Sequence, residues 1–234
     1  MVEVGGRPIL WHIMKIYAHY GFPNFVLCLG YRGNVIKEYF LNYDAMNSDC
    51  TICLGQKRQI AFHGEHGERD CTVTLADTGL DTMTGGRLKR VARYLDGDEF
   101  LLTYGDGLAD IDLGRLIEFH RSHGRLATVT AVRPTSRFGV MDIGSDGGVR
   151  RFAEKPLIEG WVNVGFFVLN RRVLDYVTSD DCVFEKEPLQ QLAGEGQLMS
   201  YLHEGFFFAM DTYREYKHLN ELWDTSAAPW KVWQ

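Results

Sequence analysis

The sequence predicts an α/β protein with a mixed, mainly parallel sheet, on the basis of two patterns along the chain. Short runs of β-branched and aromatic residues, for example residues 25–29 and 100–104, alternate with stretches in which apolar residues recur every three to four positions. Such alternation is typical of strand–helix–strand units with parallel strands. After Pro134 the connections become short and rich in glycine, which indicates a smaller antiparallel region.

The individual elements follow from these patterns in order. Pro8 opens the first helix and Gly21 ends it, while Gly124 ends the fourth. The predicted helices cover residues 8–20, 34–40, 86–95, 113–123, 172–178, 188–193 and 213–223. The predicted strands cover residues 25–29, 51–54, 72–76, 100–104, 126–132, 138–143, 149–152, 162–169 and 198–203. Residues 2–6 lead directly into the first helix, whereas α/β chains normally open with a strand that carries a phosphate loop.

The composition indicates one globular domain. The chain has 234 residues, of which 45% are apolar and 24% charged, and no low-complexity linker divides it. A formal net charge of −6 argues against general binding to nucleic acids or anionic membranes. No apolar stretch approaches membrane-spanning length, and the first residues do not form a signal peptide, so we expect a cytoplasmic location.

Cysteine, histidine and aromatic residues give only weak signals for a site. The odd number of cysteines predicts reduced thiols, and the spacing of Cys50 and Cys53 resembles a redox or zinc motif that no second pair completes. Four histidines occur in pairs three residues apart, for which surface or packing roles are expected: His63, His66, His120 and His123. The aromatic run at residues 206–208 and the tail tryptophans are expected in the core or in subunit contacts.

Two acidic residues follow apolar strands and are candidate metal ligands. Asp106 lies between Gly105 and Gly107 after the strand at residues 100–104, where ligands of α/β sheets bind. The alternative is a turn in which the carboxylate accepts backbone N–H groups. Asp211 ends the run at residues 206–210, and its alternative role is that of a helix N-cap. Together the two carboxylates could share one Mg²⁺ ion between substrate phosphates.

Two basic segments are candidate anion sites. Residues 82–90 combine hydroxyls, glycines and three cations at a helix start, where backbone N–H groups and the helix dipole suit an anion. The alternative is an ordinary amphipathic helix with a solvated basic face. Glu154-Lys155-Pro156 offers an ammonium group for a phosphate, and its alternative is a surface turn.

These segments, in their order, resemble the glucose-1-phosphate cytidylyltransferase branch of the sugar nucleotidylyltransferase family along the whole chain. The resemblance rests on PILWHIM from residue 8, GYRG from 30, DTG from 77, MTGGRLKR from 83, YGDG from 104, EKP from 154, GFFVL from 165, MDT from 210 and APWK from 228. It implies a Rossmann-like three-layer fold. It also implies Mg²⁺-dependent transfer of a cytidylyl group from CTP to glucose 1-phosphate, in a homo-oligomer that serves deoxysugar or O-antigen synthesis.

The resemblance also assigns residues to roles. It places Asp106 and Asp211 at Mg²⁺, and it makes these two residues and Lys155 the catalytic set. The substrate contacts that it implies are Thr82, Gly86, Arg87, Gly105, Glu154 and Asn163. Residues 1–133 would form the nucleotide-binding half of a single domain, and residues 134–234 the sugar-phosphate half with the closing helix.

Two departures from the family pattern lead to further expectations. On this resemblance Met1 follows the family's first strand and its Gly-Gly-x-Gly-Thr-Arg loop, so both are expected to be missing from these residues, with little activity as the consequence. Val164 stands where the family usually has glycine, and its side chain is expected to crowd the sugar pocket. The alternatives are transfer of another nucleotide, thymidylyl or guanylyl, and a non-catalytic subunit that binds sugar phosphate.

Overall fold

The computed structural model describes residues 1–55, 59–64, 66–136, 138–157 and 159–233, and the elements below belong to these ranges. The helices are α1 (Ile9–His19), α2 (Gly33–Leu41), α3 (Tyr43–Asn47), α4 (Thr84–Val91), α5 (Leu113–His123), α6 (Glu187–Gly194) and α7 (Tyr213–Asp224). The strands are β1 (Glu3–Val4), β2 (Arg7–Pro8), β3 (Asn24–Leu29), β4 (Asp49–Cys53), β5 (Gln59–His63), β6 (Thr72–Asp77), β7 (Glu99–Leu102), β8 (Gly107–Ala109), β9 (Ala127–Val132), β10 (Val140–Ile143), β11 (Val149–Ala153), β12 (Val162–Asn170), β13 (Leu198–Leu202) and β14 (Phe207–Ala209).

The predicted elements are present, with ends shifted by a few residues. The helix expected at residues 172–178 is instead a 3-10 helix, Arg171–Tyr176, and a second 3-10 turn, Ala92–Tyr94, extends α4. The sequence patterns did not indicate the short elements β1, β2, α3, β5, β8 and β14. These elements have two to five residues each, which is too short for a periodic pattern.

The sheet is mixed, as expected, and antiparallel pairing is more extensive than the sequence indicated. Its main part has the order β13-β9-β12-β7, in which β13 runs parallel to β9 and β12 runs antiparallel to both of its neighbours. Strands β3 and β6 form a separate parallel pair. The hairpin β10–β11 provides the predicted antiparallel region after Pro134.

Apolar layers cover both faces of the main sheet, which gives three layers in total. Successive residues of β12 point to opposite faces, so Phe166 and Val168 enter one core while Phe167 and Leu169 enter the other. The first core contains α1, α5, α7 and the fully buried Trp230, and the second contains α4 and α6. Burial on both faces explains the long apolar run of β12.

A cavity of about 980 Å³ lies between β3 and β7. Apolar side chains of α1, α4 and both strands line most of it. Within the part of the chain that the structure describes, β3 pairs with β6 alone and β7 with β12 alone, so each has an edge without a ladder partner.

None of the described helices is long and apolar enough to span a membrane.

Candidate active site

The polar end of the cavity contains several of the predicted site residues. Asp106, Gly105 and Arg87 line it, together with Tyr104 and Glu185. An added Cβ at Gly105 would meet no atom within 4 Å, so the backbone there is open to a ligand.

A short ladder brings the two candidate metal ligands together. Strand β8 begins directly after Asp106, and β14 ends two residues before Asp211, with Gly107 opposite Ala209. The Met210 N–H donates to the Asp106 carbonyl at 2.9 Å and extends the pairing to the site. Both aspartates are exposed at this end of the ladder. Asp106 and Asp211, which are more than a hundred positions apart in sequence, are therefore neighbours.

Asp110 fixes the opposite end of this ladder. Its Oδ1 accepts the Phe206 N–H at 2.7 Å and lies 3.0 Å from Nε2 of His203. The Asp110 N–H donates in turn to the Phe206 carbonyl at 3.2 Å. These contacts hold the register that places Asp106 beside Asp211, a role that no local motif indicated.

The electrostatics of the pair fit a divalent cation. Partial burial and the neighbouring charge of Asp211 raise the pKa of Asp106 above its ordinary value. A bound cation would relieve both effects. Among the described residues, no cluster of three or more His, Cys, Asp or Glu side chains could form an all-protein metal cage. Two carboxylates fit Mg²⁺, which commonly takes one or two carboxylates and completes its shell with water and substrate phosphates.

The helix N-cap, which was the alternative role for Asp211, is the neighbouring residue Thr212. Thr212 is the N-cap of α7 and forms a capping box with Glu215, since each side chain accepts the other's backbone N–H. The Glu215 carboxylate also accepts the Asp211 N–H at 2.8 Å. The cap therefore fixes the backbone of Asp211 and does not use its carboxylate as the capping group.

Tyr104 is the centre of a hydrogen-bond network that sequence analysis missed. Its hydroxyl donates to Glu185 Oε1 at 2.5 Å and accepts Nδ2 of Asn163 at 3.3 Å. The other oxygen of Glu185 accepts the Thr84 hydroxyl at 2.6 Å. Burial, followed by the hydrogen bond and charge of Glu185, raises the pKa of Tyr104, so the hydroxyl remains a donor. Tyr104 and Glu185 are 81 positions apart, which explains why no spacing revealed the pair.

The start of α4 is packed against another segment and does not present a free anion cradle. The N–H groups of Gly85 and Gly86 donate to the Cys182 carbonyl, at 2.9 and 3.3 Å. A Cβ at Gly86 would lie 2.5 Å from the Asp180 carbonyl oxygen, so close packing requires glycine there. Thr82 is buried beside these glycines. Because the Cys182 carbonyl accepts both N–H groups, Gly85 and Gly86 favour the alternative of an ordinary packed helix over an anion cradle.

Arg87 links the end of β3 to the turn after β6. Its Nη1 donates to the Leu29 carbonyl at 3.1 Å and to the Thr78 hydroxyl at 2.8 Å, and its Nη2 donates to the Leu80 carbonyl at 3.1 Å. The guanidinium group thus shapes the wall of the cavity.

Lys155 and Glu154 lie on the exposed turn after β11, outside the cavity lining. The ammonium of Lys155 is 3.8 Å from the Glu154 carboxylate. The backbone of Lys155 has φ of 46°, which is uncommon for a residue with a side chain and occurs often at functional positions. The Ser136 N–H donates to the Pro156 carbonyl at 2.8 Å and anchors the turn.

Asn163 and Val164 point to opposite sides of β12. Asn163 is exposed, and its Oδ1 accepts the Gly165 N–H at 2.7 Å. Val164 is 5% exposed and belongs to the first core. The expectation that Val164 crowds the sugar pocket was wrong, because the alternation along a strand directs its side chain into the core.

The chain is similar to known proteins along its whole length. The model of the family described as nucleotidyl transferase matches residues 1–205. The glucose-1-phosphate cytidylyltransferase of Salmonella typhimurium is 50% identical over 236 aligned residues, which cover 100% of this chain and 91% of the relative. The chain belongs to the nucleotidyl transferase family, in its glucose-1-phosphate cytidylyltransferase branch.

Further relatives agree with this membership. A probable glucose-1-phosphate cytidylyltransferase of Bacillus subtilis is 43% identical, with 100% of this chain and 91% of the relative covered. A solved structure of HddC from Yersinia pseudotuberculosis, complexed with GMP-PN, aligns with a TM-score of 0.69 at 19% identity and covers 95% of this chain and 88% of that one. At 19% identity the likeness to the HddC structure concerns the fold alone. It confirms the expected nucleotidyltransferase fold.

The cysteine, histidine and tryptophan residues that gave weak signals for a site in this nucleotidyl transferase lie at surface or packing positions. Cys50 and Cys53 lie on β4 as free, exposed thiols. His120 Nδ1 and His123 Nε2 both contact the Thr128 hydroxyl at 2.8 Å, which confirms a packing role. The tail residue Trp230 is fully buried, as expected for a core residue.

Proposed function

We propose that this protein transfers the cytidylyl group of CTP to α-D-glucose 1-phosphate, forming CDP-glucose and releasing pyrophosphate. The observation that carries the proposal is the 50% identity, along the whole chain, to a relative named glucose-1-phosphate cytidylyltransferase. The carboxylate pair of Asp106, which lines the cavity, and Asp211, which lies beside it, supports the proposal, because phosphoryl-type transfer depends on neutralising charge at the reacting phosphates.

The reaction requires positioning more than covalent participation of the protein. A phosphate oxygen of the sugar forms a bond to the α-phosphorus of CTP, while the bond from that phosphorus to the pyrophosphate oxygen breaks. Catalysis of such a step comes mainly from orientation and electrostatics. Asp106 and Asp211 would hold Mg²⁺, which when bound neutralises negative charge on the phosphates. The protein's part is to fix these two carboxylates at one point.

We assign the sugar-phosphate side of the site to Lys155, Asn163 and Glu154. The Lys155 ammonium suits the 1-phosphate as a point charge, and its left-handed backbone is consistent with a constrained functional position. The Asn163 amide is exposed and oriented by neighbours, as a group that recognises a sugar hydroxyl should be. Glu154 lies close enough to Lys155 to orient its ammonium.

We assign the nucleotide side to Gly105, Arg87, Thr82 and Gly86. Gly105 allows close approach of the ligand to the backbone beside Asp106, and Arg87 lines the same cavity. Thr82 and Gly86 are buried behind the start of α4. Their contribution in this account is to hold that helix against the segment at residues 180–182.

A nucleotide panel tests the function directly. The purified protein is incubated with glucose 1-phosphate and Mg²⁺ and, separately, CTP, UTP, GTP or dTTP, and products are identified by mass spectrometry. Any sugar nucleotide that forms should be CDP-glucose, with CTP preferred by at least about tenfold, because a site that hydrogen-bonds one base rejects a base that leaves its polar groups unpaired. Preferential formation of GDP-glucose or dTDP-glucose would contradict cytidylyl transfer and would indicate guanylyl or thymidylyl transfer instead. If the protein binds glucose 1-phosphate but forms no sugar nucleotide with any of the four substrates, the result would favour the non-catalytic subunit.

We extend the proposal to the setting of the enzyme. The free thiols of all five described cysteines fit a reducing compartment, so we place the protein in the cytoplasm. We further propose a homo-oligomer that supplies CDP-glucose for deoxysugar or O-antigen synthesis. Light scattering of the purified protein tests the oligomer, and a single mass of one chain would contradict it.

A further inference from the structure

A directional chain of hydrogen bonds connects α4 to the sugar side of the site. The Glu185 carboxylate uses one oxygen for the Thr84 hydroxyl and the other for the Tyr104 hydroxyl, at 2.6 and 2.5 Å. The Thr84 hydroxyl also accepts the Phe184 N–H at 2.9 Å, which ties Glu185's own segment to the helix start. Glu185 is thus held in place by two hydroxyl groups from different elements.

The direction of each bond follows from what each group can donate. An ionised carboxylate only accepts, so the Tyr104 hydroxyl must direct its hydrogen at Glu185. The hydroxyl oxygen is then left as an acceptor, and it receives Nδ2 of Asn163 at 3.3 Å. At the other end of that amide, Oδ1 accepts the Gly165 N–H at 2.7 Å. The amide therefore has one orientation, with its nitrogen towards Tyr104 and its oxygen towards Gly165.

We infer that Glu185 is a positioning residue for the sugar phosphate, which acts through Tyr104 to fix the amide of Asn163. This inference rests on the proposed function, because it takes Asn163 as a contact of glucose 1-phosphate. With Glu185 removed, the Tyr104 hydroxyl can rotate and donate elsewhere, and the Asn163 amide nitrogen loses its fixed acceptor while its oxygen still accepts the Gly165 N–H. Binding of the sugar phosphate then weakens, while binding of the nucleotide does not.

A double-mutant cycle with kinetic readouts tests this inference. Glu185→Ala and Tyr104→Phe should each raise the KM for glucose 1-phosphate about five- to tenfold, as expected for one lost oriented hydrogen bond, and change the KM for CTP less than about twofold. The double variant should be no worse than either single variant, because both break the same chain. Glu185→Gln retains an acceptor for the Tyr104 hydroxyl and should restore the KM to within about threefold of the parent.

The chain provides a matched control for this experiment. The Tyr176 hydroxyl donates to the Glu195 carboxylate at 2.6 Å, which is the same kind of pair on the exposed surface. Glu195→Ala and Tyr176→Phe should leave both KM values unchanged. Unfolding by urea, measured for every variant, identifies any variant that is merely unstable, and calorimetric binding of glucose 1-phosphate repeats the comparison without turnover.

The outcomes distinguish this inference from the function on which it rests. A parent protein that neither binds glucose 1-phosphate nor forms CDP-glucose overturns the proposed function, and the inference falls with it. A parent that forms CDP-glucose, with variants that raise both KM values equally or combine additively, leaves the function intact and overturns the positioning role of Glu185.

Discussion

Lys155, which we propose binds the sugar phosphate, is the residue expected to separate its recognition from that of the nucleotide. Its side chain is exposed on the turn after β11, and its backbone adopts a left-handed conformation with φ of 46°. Such a conformation costs about 1–3 kcal/mol and persists where the surroundings enforce it. The turn is therefore specified more strongly than a surface turn requires.

We predict that Lys155→Met weakens glucose 1-phosphate much more than CTP. A charge-assisted hydrogen bond contributes about 1.5–3 kcal/mol, so the apparent constant for glucose 1-phosphate should rise roughly ten- to hundredfold. Binding of CTP, measured by calorimetry without sugar, should change by less than about threefold. Lys37→Met on α2 is the control for removal of one positive charge. An equal loss of affinity for both substrates would mean that Lys155 supports the fold. No loss for either substrate would mean that Lys155 is part of an ordinary surface turn with no role in binding.

The residues of the site differ in how far sequence alone could identify them. Asp106 and Asp211 each follow an apolar run, which made them candidate metal ligands, and the family resemblance favoured that role over a turn or an N-cap. Glu185 has no motif, because its partners Tyr104 and Thr84 come from segments at least 81 positions away. Contacts of that kind depend on the tertiary fold and leave no local pattern.

Among the elements, β12 contains a bulge on which the site depends. The register of β12 against β9 shifts between Asn163 and Phe167, and Gly165 at this point has φ of 83°. A Cβ at Gly165 would lie 2.2 Å from the ring of Tyr104. The bulge therefore allows Tyr104 to lie against the strand beside Asn163.

We predict that Gly165→Ala is destabilising in excess of its backbone strain. A left-handed alanine costs about 1–2 kcal/mol, and the clash with Tyr104 adds about 1–3 kcal/mol of overpacking. Gly147 is a matched control, since its φ is 81° and an added Cβ there meets nothing within 4 Å. Urea unfolding should show a loss of about 1–2 kcal/mol for Gly147→Ala and a clearly larger loss for Gly165→Ala. Equal losses would show that Tyr104 does not press on this glycine.

Strands β8 and β14 show why the site was only partly predictable at the level of elements. Each has three residues, and the two strands pair with each other although they are about a hundred positions apart in the chain. Periodicity cannot reveal a strand of that length. The longer elements carry enough periodic positions to be predicted, whereas the order and direction of their pairing depend on contacts between distant segments.

For the molecule as a whole, His12 joins the two ends of the chain. Its Nε2 donates to the Val4 carbonyl at 2.8 Å, and its Nδ1 accepts the indole N–H of Trp230 at 3.3 Å. The ring is fully buried, and burial is the main cause that lowers the pKa of His12 to about 4. Protonation at Nδ1 requires that the Trp230 hydrogen bond be broken. The C-terminal tail is thus bound to a neutral imidazole.

We predict that His12 makes the stability of the protein fall with decreasing pH. The unfolded chain has a histidine pKa near 6.5 and the folded chain one of about 4, so the unfolded state binds more protons between these values. The contribution is fully present above pH 6.5 and is lost as the pH falls towards 4. Its size is on the order of 3 kcal/mol.

Urea unfolding at several pH values between 7.5 and 4.5 checks this prediction. His12→Gln should be less stable at pH 7.5 but should lose less stability on acidification than the parent does. His19→Gln, on the exposed side of the same helix, retains the buried ring and should retain the slope of the parent. A His12→Gln protein with the parent's slope would show that another group controls the acid response.

At the end of the β8–β14 ladder, Asp106 from residues 1–133 lies beside Asp211 from residues 134–234. We propose that these two carboxylates form one divalent-cation site. Mn²⁺ prefers the same oxygen ligands as Mg²⁺ and can be followed by electron paramagnetic resonance. Protein-bound Mn²⁺ in the presence of CTP is therefore the measurement that tests the claim most directly.

We predict that Asp106→Asn and Asp211→Asn each weaken the binding of Mn²⁺ by at least about tenfold, because each removes one charged ligand. The double variant should bind Mn²⁺ more weakly than either single variant, because it removes both charged ligands of one site. Asp175→Asn, at an exposed position of the 3-10 helix Arg171–Tyr176, controls for loss of an acidic residue and should bind as the parent does. Parent-like Mn²⁺ binding by either single variant, with the fold intact, would contradict the claim.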